Sequence, residues 1–171
     1  MRPVSLIPRR LIDSKLSNKL PPSVNDLSNF PYIEALIQKA LHTASLSPFA
    51  LLHNALEDAE VAGYRIPKDT VVIGILYAAN NDTNVWKSRK EFSPECFINE
   101  DGKFSSGDDP VIVFRTGKRS CTGGALAGNE LFLFTVRMFQ NFRVRAASEL
   151  KDDHKYSVTV AQFMVAFERC N

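Results

Sequence analysis

A ten-residue stretch around Cys121 carries the residue types best suited to chemistry. Residues 114–123 read F-R-T-G-K-R-S-C-T-G and place one thiol among a phenylalanine, two arginines and two glycines. Gly117 and Gly123 permit a sharp turn or a close approach to a flat ligand, because neither has a Cβ atom. Arg119 adds a fixed cation that can stabilise a thiolate or bind a carboxylate through two hydrogen bonds. This loop is therefore suited to a thiolate metal ligand.

An apolar helix is predicted directly behind the loop, over residues 124–142. A thiol just ahead of a helix lies near unpaired backbone N–H groups and the positive end of the helix dipole, which favours the thiolate. Apolar residues occupy nearly every side of this helix, so we expect it to be buried. Considered without its neighbours, Cys121 has an alternative role as an inert buried thiol.

Composition excludes several classes of protein. The chain has 171 residues, of which 44% are hydrophobic and 23% charged, which is ordinary for one soluble globular domain. Its net charge is +2 without a basic stripe, so we expect no nucleic-acid partner. Three widely spaced cysteines without a C-x-x-C pair indicate a reducing, intracellular setting. No segment approaches the ~20 apolar residues of a spanning helix, so we expect no membrane anchor in this chain.

The remaining elements are expected to be short helices and small antiparallel hairpins. Helices are predicted over residues 9–20, 31–43 and part of 77–86. An extended path is predicted after Pro48, and two strands are predicted on either side of a turn at Pro67. Two more strands are predicted at residues 157–159 and 163–167. The fold class is therefore mixed and mainly α.

The Cys121 loop resembles the haem-binding loop of the cytochromes P-450, F-x-x-G-x-R-x-C-x-G. The five matching positions are Phe114, Gly117, Arg119, Cys121 and Gly123. By this resemblance all five bind haem, and Cys121 is the axial metal ligand, a thiolate that pushes electron density onto the iron. The helix behind the loop also follows the family's A-x-x-E-L pattern.

Other segments extend the resemblance. Residues 49–52 match a segment that lines the family's substrate pocket, and His53 falls where family members often bind a haem propionate. A loop histidine with local hydrogen bonds is the alternative for His53. The patterns P-Y-I-E-A and G-Y-R-I-P-K-D-T are most similar to the microsomal animal type of the family.

The chain departs from the family at a buried charge network. The family's pattern over this helix is P-Y-x-x-A-x-x-x-E-x-x-R. This chain has Lys39 where the pattern has Glu, and His42 where it has Arg. The Arg of a later P-E-R-F pattern is Cys96. Removing one partner of a buried ion network costs about 3 to 5 kcal/mol, whereas replacing the whole set can be nearly neutral. We therefore expect a degenerate or divergent member of the family, in which haem assembly is altered.

The resemblance covers about residues 20–167 and corresponds to the C-terminal, proximal haem-side portion of the family's domain. We therefore expect residues 1–171 to form a single partial domain. The family implies a haem-binding monooxygenase that oxygenates a small apolar substrate with electrons from an NADPH-dependent reductase at the endoplasmic reticulum membrane. The alternative is a non-catalytic, degenerate fragment that cannot bind haem productively alone. Because the family's distal helix would precede Met1, we expect no catalytic residue here and no activity of this chain alone.

Overall fold

The computed structural model describes residues 6–16, 20–86, 91–106, 111–114, 117–146 and 165–169. Within them the chain is mainly helical, with small antiparallel sheets of two strands each. The α-helices are α1 (Leu6–Lys15), α2 (Pro31–Ala44), α3 (Leu76–Asn80) and α4 (Gly124–Asn141). The 3-10 helices are Val24–Asn29, Pro94–Phe97 and Gly117–Arg119. The strands are β1 (His53–Asn54), β2 (Ala59–Val61), β3 (Tyr64–Ile66), β4 (Val71–Val72), β5 (Phe142–Ala146) and β6 (Val165–Arg169). The mixed, mainly helical class is thereby confirmed.

The chain divides into two compact units. A terminal unit comprises Met1–Glu34 and Ala127–Asn171, and a central unit comprises Ala35–Leu126. The expectation of one partial domain over residues 1–171 stays a prediction.

The terminal unit has an apolar core built on one face of α4. Phe132, Val136 and Phe139 are buried at helical spacing, and the Phe132 ring lies 6.1 Å from the ring of Phe30. Phe134 is 74% exposed, so the expectation of a helix buried on nearly all sides is wrong for the described residues. The apolar composition of α4 exceeds what its neighbours cover, because packing partners meet one stripe only.

Polar contacts hold the ends of the terminal unit's short elements. Ser23 and Asp26 form a capping box at the start of the first 3-10 helix. The Lys15 ammonium donates to the carbonyl of Asn29 and lies 5.5 Å from the centre of the Phe30 ring. Gln140 is buried in α4 and donates to the carbonyl of Leu20 at 3.1 Å. These contacts join α1, the 3-10 helix and α4 across large separations in sequence.

The boundaries of α1 differ from the prediction of a helix over residues 9–20. The helix begins at Leu6 and ends at Lys15. Pro8 is tolerated because its missing amide falls in the first turn, where N–H groups have no intrahelical partner. Helix α2 agrees with its prediction, and α4 ends one residue earlier than expected because Phe142 begins β5.

Strand pairing in the central unit corrects the predicted hairpin. The strands β2 and β3 pair around Ala62 and Gly63, whose φ angles are +50° and +83°. Two consecutive positive φ angles match the twist of a tight hairpin. The predicted turn at Pro67 also occurs, since the amide of Thr70 donates to the carbonyl of Pro67 at 3.2 Å, and its flanking strands are β3 and β4. These two strands do not pair with each other, so a hairpin across Pro67 is wrong. The strand β4 pairs instead with β1, joining Val72 to His53.

At the C-terminal side β5 pairs with β6, which lies close to the strand predicted at residues 163–167. The predicted strand at residues 157–159 lies outside the described residues.

Two phenylalanines of α4 provide a matched test of this core. We expect Phe132→Ala to lower the free energy of unfolding by about 3 to 5 kcal/mol, because it removes a fully buried ring. Phe134→Ala should change it by less than about 0.5 kcal/mol, because that ring is exposed. Urea unfolding of both variants measures the difference. Equal losses would contradict the described orientation of α4.

Candidate functional site

Backbone hydrogen bonds close the Cys121 loop onto itself. The amide of Cys121 donates to the carbonyl of Phe114 at 2.8 Å, and the amide of Ser120 donates to the carbonyl of Gly117 at 3.1 Å. Gly117 has a φ of +70°, a conformation that glycine adopts at little cost. Gly124 donates to the carbonyl of Cys121 at 3.2 Å as α4 begins. The backbone of Cys121 is therefore held on both sides.

Side chains around the thiol leave it accessible. Cys121 is exposed and forms no disulfide, and Arg119 is exposed on the adjacent 3-10 helix. A Cβ atom at Gly123 would lie 3.9 Å from the Cys121 sulfur, with no crowding and no positive φ. The fold therefore does not itself require glycine at position 123, and its missing side chain leaves space beside the sulfur. The Phe114 ring packs closely on Gly124, where an added Cβ would lie 3.3 Å from Cγ.

A haem fits this arrangement as a group that takes one thiolate ligand. The sulfur faces open space, the backbone beneath it is fixed, and a glycine lies beside it. The structure brings together Phe114, Gly117, Arg119, Cys121 and Gly123 in one loop. Their roles towards haem stay predictions.

His53 lies apart from this loop in its hydrogen bonding. Its half-buried ring lies in β1, and Nδ1 is 2.7 Å from the carbonyl of Leu51. Because a carbonyl only accepts, Nδ1 carries the proton in this contact. The described residues show no hydrogen bond between His53 and the loop. The predicted propionate contact of His53 stays untested.

An apolar groove lies in the same central unit. Its volume is about 450 Å³, and it is lined by Phe49, Ala50, Leu52, Ile73 and Ile75. Phe49 forms an isolated bridge with Ile75, which fixes the two walls relative to each other. Leu52 is 69% exposed, so the groove is open.

The three residues that replace the family's charge network come together in the central unit. Lys39 and His42 are each 3% exposed on adjacent turns of α2. Burial lowers the pKa of His42, and the Lys39 charge adds to this, while the Asn80 hydrogen bond opposes it. Desolvation raises the pKa of the Cys96 thiol, although the residue is exposed, and the Lys39 charge opposes this effect. Among the described residues Lys39 forms no ion pair.

His42 also connects two sets of contacts that the sequence did not predict. Its Nε2 donates to the carbonyl of Asn80 at 2.6 Å, and its ring lies 4.2 Å from the ring of Trp86. The Trp86 ring in turn lies 6.3 Å from the ring of Phe97, and Phe97 is buried. The Nδ1 atom of His42 has no partner among the described residues. The sequence signal for Asn80 was a polar residue directly after the apolar run at residues 71–79.

The described residues contain neither a membrane-spanning helix nor a cluster of metal-binding side chains. No helix there combines the length and apolar character needed to cross a membrane. No group of three or more His, Cys, Asp or Glu side chains there could hold a metal ion.

The conformation of Gly117 gives a test of the loop. We expect Gly117→Ala to lower the free energy of unfolding by about 1 to 2 kcal/mol, because an L-residue is strained at this positive φ. An added Cβ meets nothing within 4 Å, so the effect is conformational. Gly128→Ala in α4 is the control and should raise stability by about 0.5 to 1 kcal/mol. Stabilisation by both changes in urea unfolding would contradict the positive φ.

Burial of His42 predicts a pH dependence of stability. Its pKa is lowered in the folded chain, so the unfolded chain binds a proton first as the pH falls. The stabilising contribution is complete above about pH 6.5 and is lost as the pH falls towards the folded pKa. The slope reaches at most about 1.4 kcal/mol per pH unit. We expect His42→Gln to flatten this decline in urea unfolding between about pH 7.5 and pH 5.5. Identical slopes in both proteins would show that His42 does not contribute.

The chain is similar in sequence to one protein family and to several animal enzymes. A family model described as Cytochrome P450 matches residues 9–165. Cytochrome P450 2B2 from Rattus norvegicus is 37% identical over 141 residues, covering 82% of this chain and 28% of the relative. Steroid 17-alpha-hydroxylase/17,20 lyase from Ictalurus punctatus is 39% identical over 132 residues, covering 77% and 26%. Cytochrome P450 1A1 from Oryzias latipes is 34% identical over 154 residues, covering 88% and 29%.

The chain therefore spans less than a third of the length of these animal relatives. The family match covers most of the chain and includes the Cys121 loop and the segments on either side of it. On this evidence, the chain belongs to the cytochrome P450 family.

Proposed function

We propose that the chain forms the C-terminal, proximal haem-side portion of a haem-thiolate monooxygenase. The observation that carries this proposal is the exposed Cys121 thiol on a loop closed by the hydrogen bond from its own amide to Phe114. Membership of a haem-binding family supports it. On this proposal residues 1–171 are one partial domain, and the complete protein inserts one oxygen atom into its substrate.

Each loop residue has a distinct proposed role. Cys121 provides the thiolate ligand, Gly117 lets the backbone turn, and Gly123 leaves room beside the sulfur. Phe114 anchors the loop by packing on Gly124. Arg119 offers an exposed cation to a haem carboxylate. When bound, a haem with a thiolate ligand supplies the iron centre for oxygen chemistry.

We assign His53 to a haem propionate. Its Nδ1 donates to Leu51, so a second donor to a carboxylate must be Nε2–H. The backbone bond at Nδ1 fixes the direction of Nε2, the ring nitrogen proposed to face the propionate. The likeness of residues 49–53 to the family's pocket segment supports this role.

The substrate and partners follow from the same chemistry. The open groove around Phe49 and Ile75 is apolar, which supports a small apolar substrate. A monooxygenase needs an electron donor, and we propose the family's NADPH-dependent reductase for the complete protein. The likeness to animal members supports an intracellular location at the endoplasmic reticulum membrane.

A non-catalytic, degenerate chain is the second candidate. Its support is the buried Lys39, which forms no ion pair among the described residues, together with the unpartnered Nδ1 of His42. Buried groups without partners destabilise the fold that surrounds them. On this alternative the Cys121 loop persists without productive haem binding.

Haem titration of the purified chain separates the two candidates. On reduction under carbon monoxide, we expect a strongly red-shifted Soret band that disappears in Cys121→Ala, because the variant lacks the thiolate. Cys96→Ala is the matched control, since it removes the other exposed thiol among the described residues and should retain the band. Absorbance and bound haem per chain are measured together.

Two results would support the non-catalytic alternative instead. One is the absence of stoichiometric haem uptake by the unmodified chain. The other is an unchanged spectrum in Cys121→Ala, which would show that the bound haem is held elsewhere.

A further inference from the structure

The amide side chain of Asn80 binds both backbone groups of Ile112, a residue just ahead of the Cys121 loop. Asn80 is 2% exposed, and its Nδ2 donates to the carbonyl of Ile112 at 3.1 Å. Its Oδ1 accepts from the amide of the same residue at 2.9 Å. A side-chain amide offers a donor and an acceptor on two separate atoms, which aspartate, serine and leucine do not. Asn80 therefore satisfies both backbone groups of Ile112 regardless of the Ile112 side chain.

The path continues from Ile112 to the thiol. Phe114 follows two residues later, and its carbonyl accepts from the amide of Cys121 at 2.8 Å. The backbone turns tightly at Ile112 itself, since the amide of Val113 donates to the carbonyl of Val111 at 3.1 Å. A displacement of Ile112 therefore moves the acceptor that closes the loop.

Asn80 is itself held from α2. Asn80 is the last residue of α3, so its carbonyl lacks an intrahelical donor. His42 supplies that donor through Nε2 at 2.6 Å. The contacts run from α2 through Asn80 to the residues that start the Cys121 loop, across 32 positions in sequence between Asn80 and Ile112.

We propose that Asn80 is a positioning residue that sets the Cys121 loop through Ile112, with His42 holding Asn80 in place. The purpose of this role rests on the proposed function, whereas the hydrogen bonds that carry it all join protein groups. On this proposal, hydrogen bonds between uncharged groups connect α2 to the Cys121 loop.

Amide hydrogen exchange of the haem-free chain tests this proposal. Asn80→Asp keeps the side-chain shape but places an oxygen against the Ile112 carbonyl. We expect exchange of the Cys121 amide to accelerate on the order of tenfold. The amide of Ala50, which donates to Gly74 in the same unit, should keep its rate. Unchanged exchange at Cys121 would overturn the proposal.

Asn81→Asp is the matched control. Asn81 donates to the carbonyl of Tyr77 at 2.9 Å within its own helical turn. Its replacement should leave the Cys121 amide within about twofold of its original rate, because no backbone contact to Ile112 is lost. Equal acceleration by both variants would overturn the assignment to Asn80.

If Asn80→Asp opens the whole central unit, exchange of the Ala50 amide accelerates as well. A second pair of variants, at His42, tests the proposal in that case. His42→Gln retains an amide donor towards Asn80 and should preserve slow exchange at Cys121, whereas His42→Leu should accelerate it on the order of tenfold relative to Ala50. Equal rates in this pair would overturn the proposal. All rates are measured without haem, so failure of the Cys121→Ala haem test leaves this inference intact, and the reverse also holds.

Discussion

The central unit depends on an uncharged histidine placed where its family has an arginine. His42 is buried, stacks on Trp86 and donates to the carbonyl of Asn80. An arginine at this position would need an anionic partner, because an isolated buried charge is strongly unfavourable. Neutral imidazole avoids that requirement and still supplies one donor and one aromatic face. The price is the Nδ1 atom, which has no partner among the described residues.

Replacement of the family's charge network has not removed every charge, because Lys39 is still present. It remains buried on the same face of α2 as His42, where the family has a glutamate, and the described residues offer it no ion pair. Its charge reaches both His42 and Cys96, disfavouring the protonated ring and favouring the thiolate. The cluster has thus exchanged a self-compensating set of charges for one cation among weakly polar groups. Without paired charges in this cluster, the hydrogen bonds through Asn80 connect α2 to the residues ahead of the Cys121 loop.

Sequence patterns predicted what local chemistry determines. The Cys121 loop and α4 follow from glycine positions and a continuous apolar helix, and both occur. The strands on either side of Pro67 were predicted, but their pairing was not, because the sequence gives no strong signal for the Ala-Gly turn with positive φ angles that pairs β2 with β3. The role of Asn80 was not predictable, because its partner Ile112 is distant in sequence. Exposure of Phe134 depends on which surfaces meet α4, and apolar composition alone does not specify them.

The exposure of Cys121 also makes its thiol open to oxidation whenever no metal is bound to it. A cysteine that is buried or bound to a metal is shielded from peroxides, whereas this sulfur is open to solvent. Oxidation first gives a sulfenic acid, which thiols can reverse, and then sulfinic and sulfonic acids, which they cannot. Cys121, the proposed ligand, is therefore the residue of the loop that oxidation would alter. If Cys121 ligates haem as proposed, iron insertion and thiol oxidation compete for the same sulfur, and the order in which they occur decides whether haem can still be ligated.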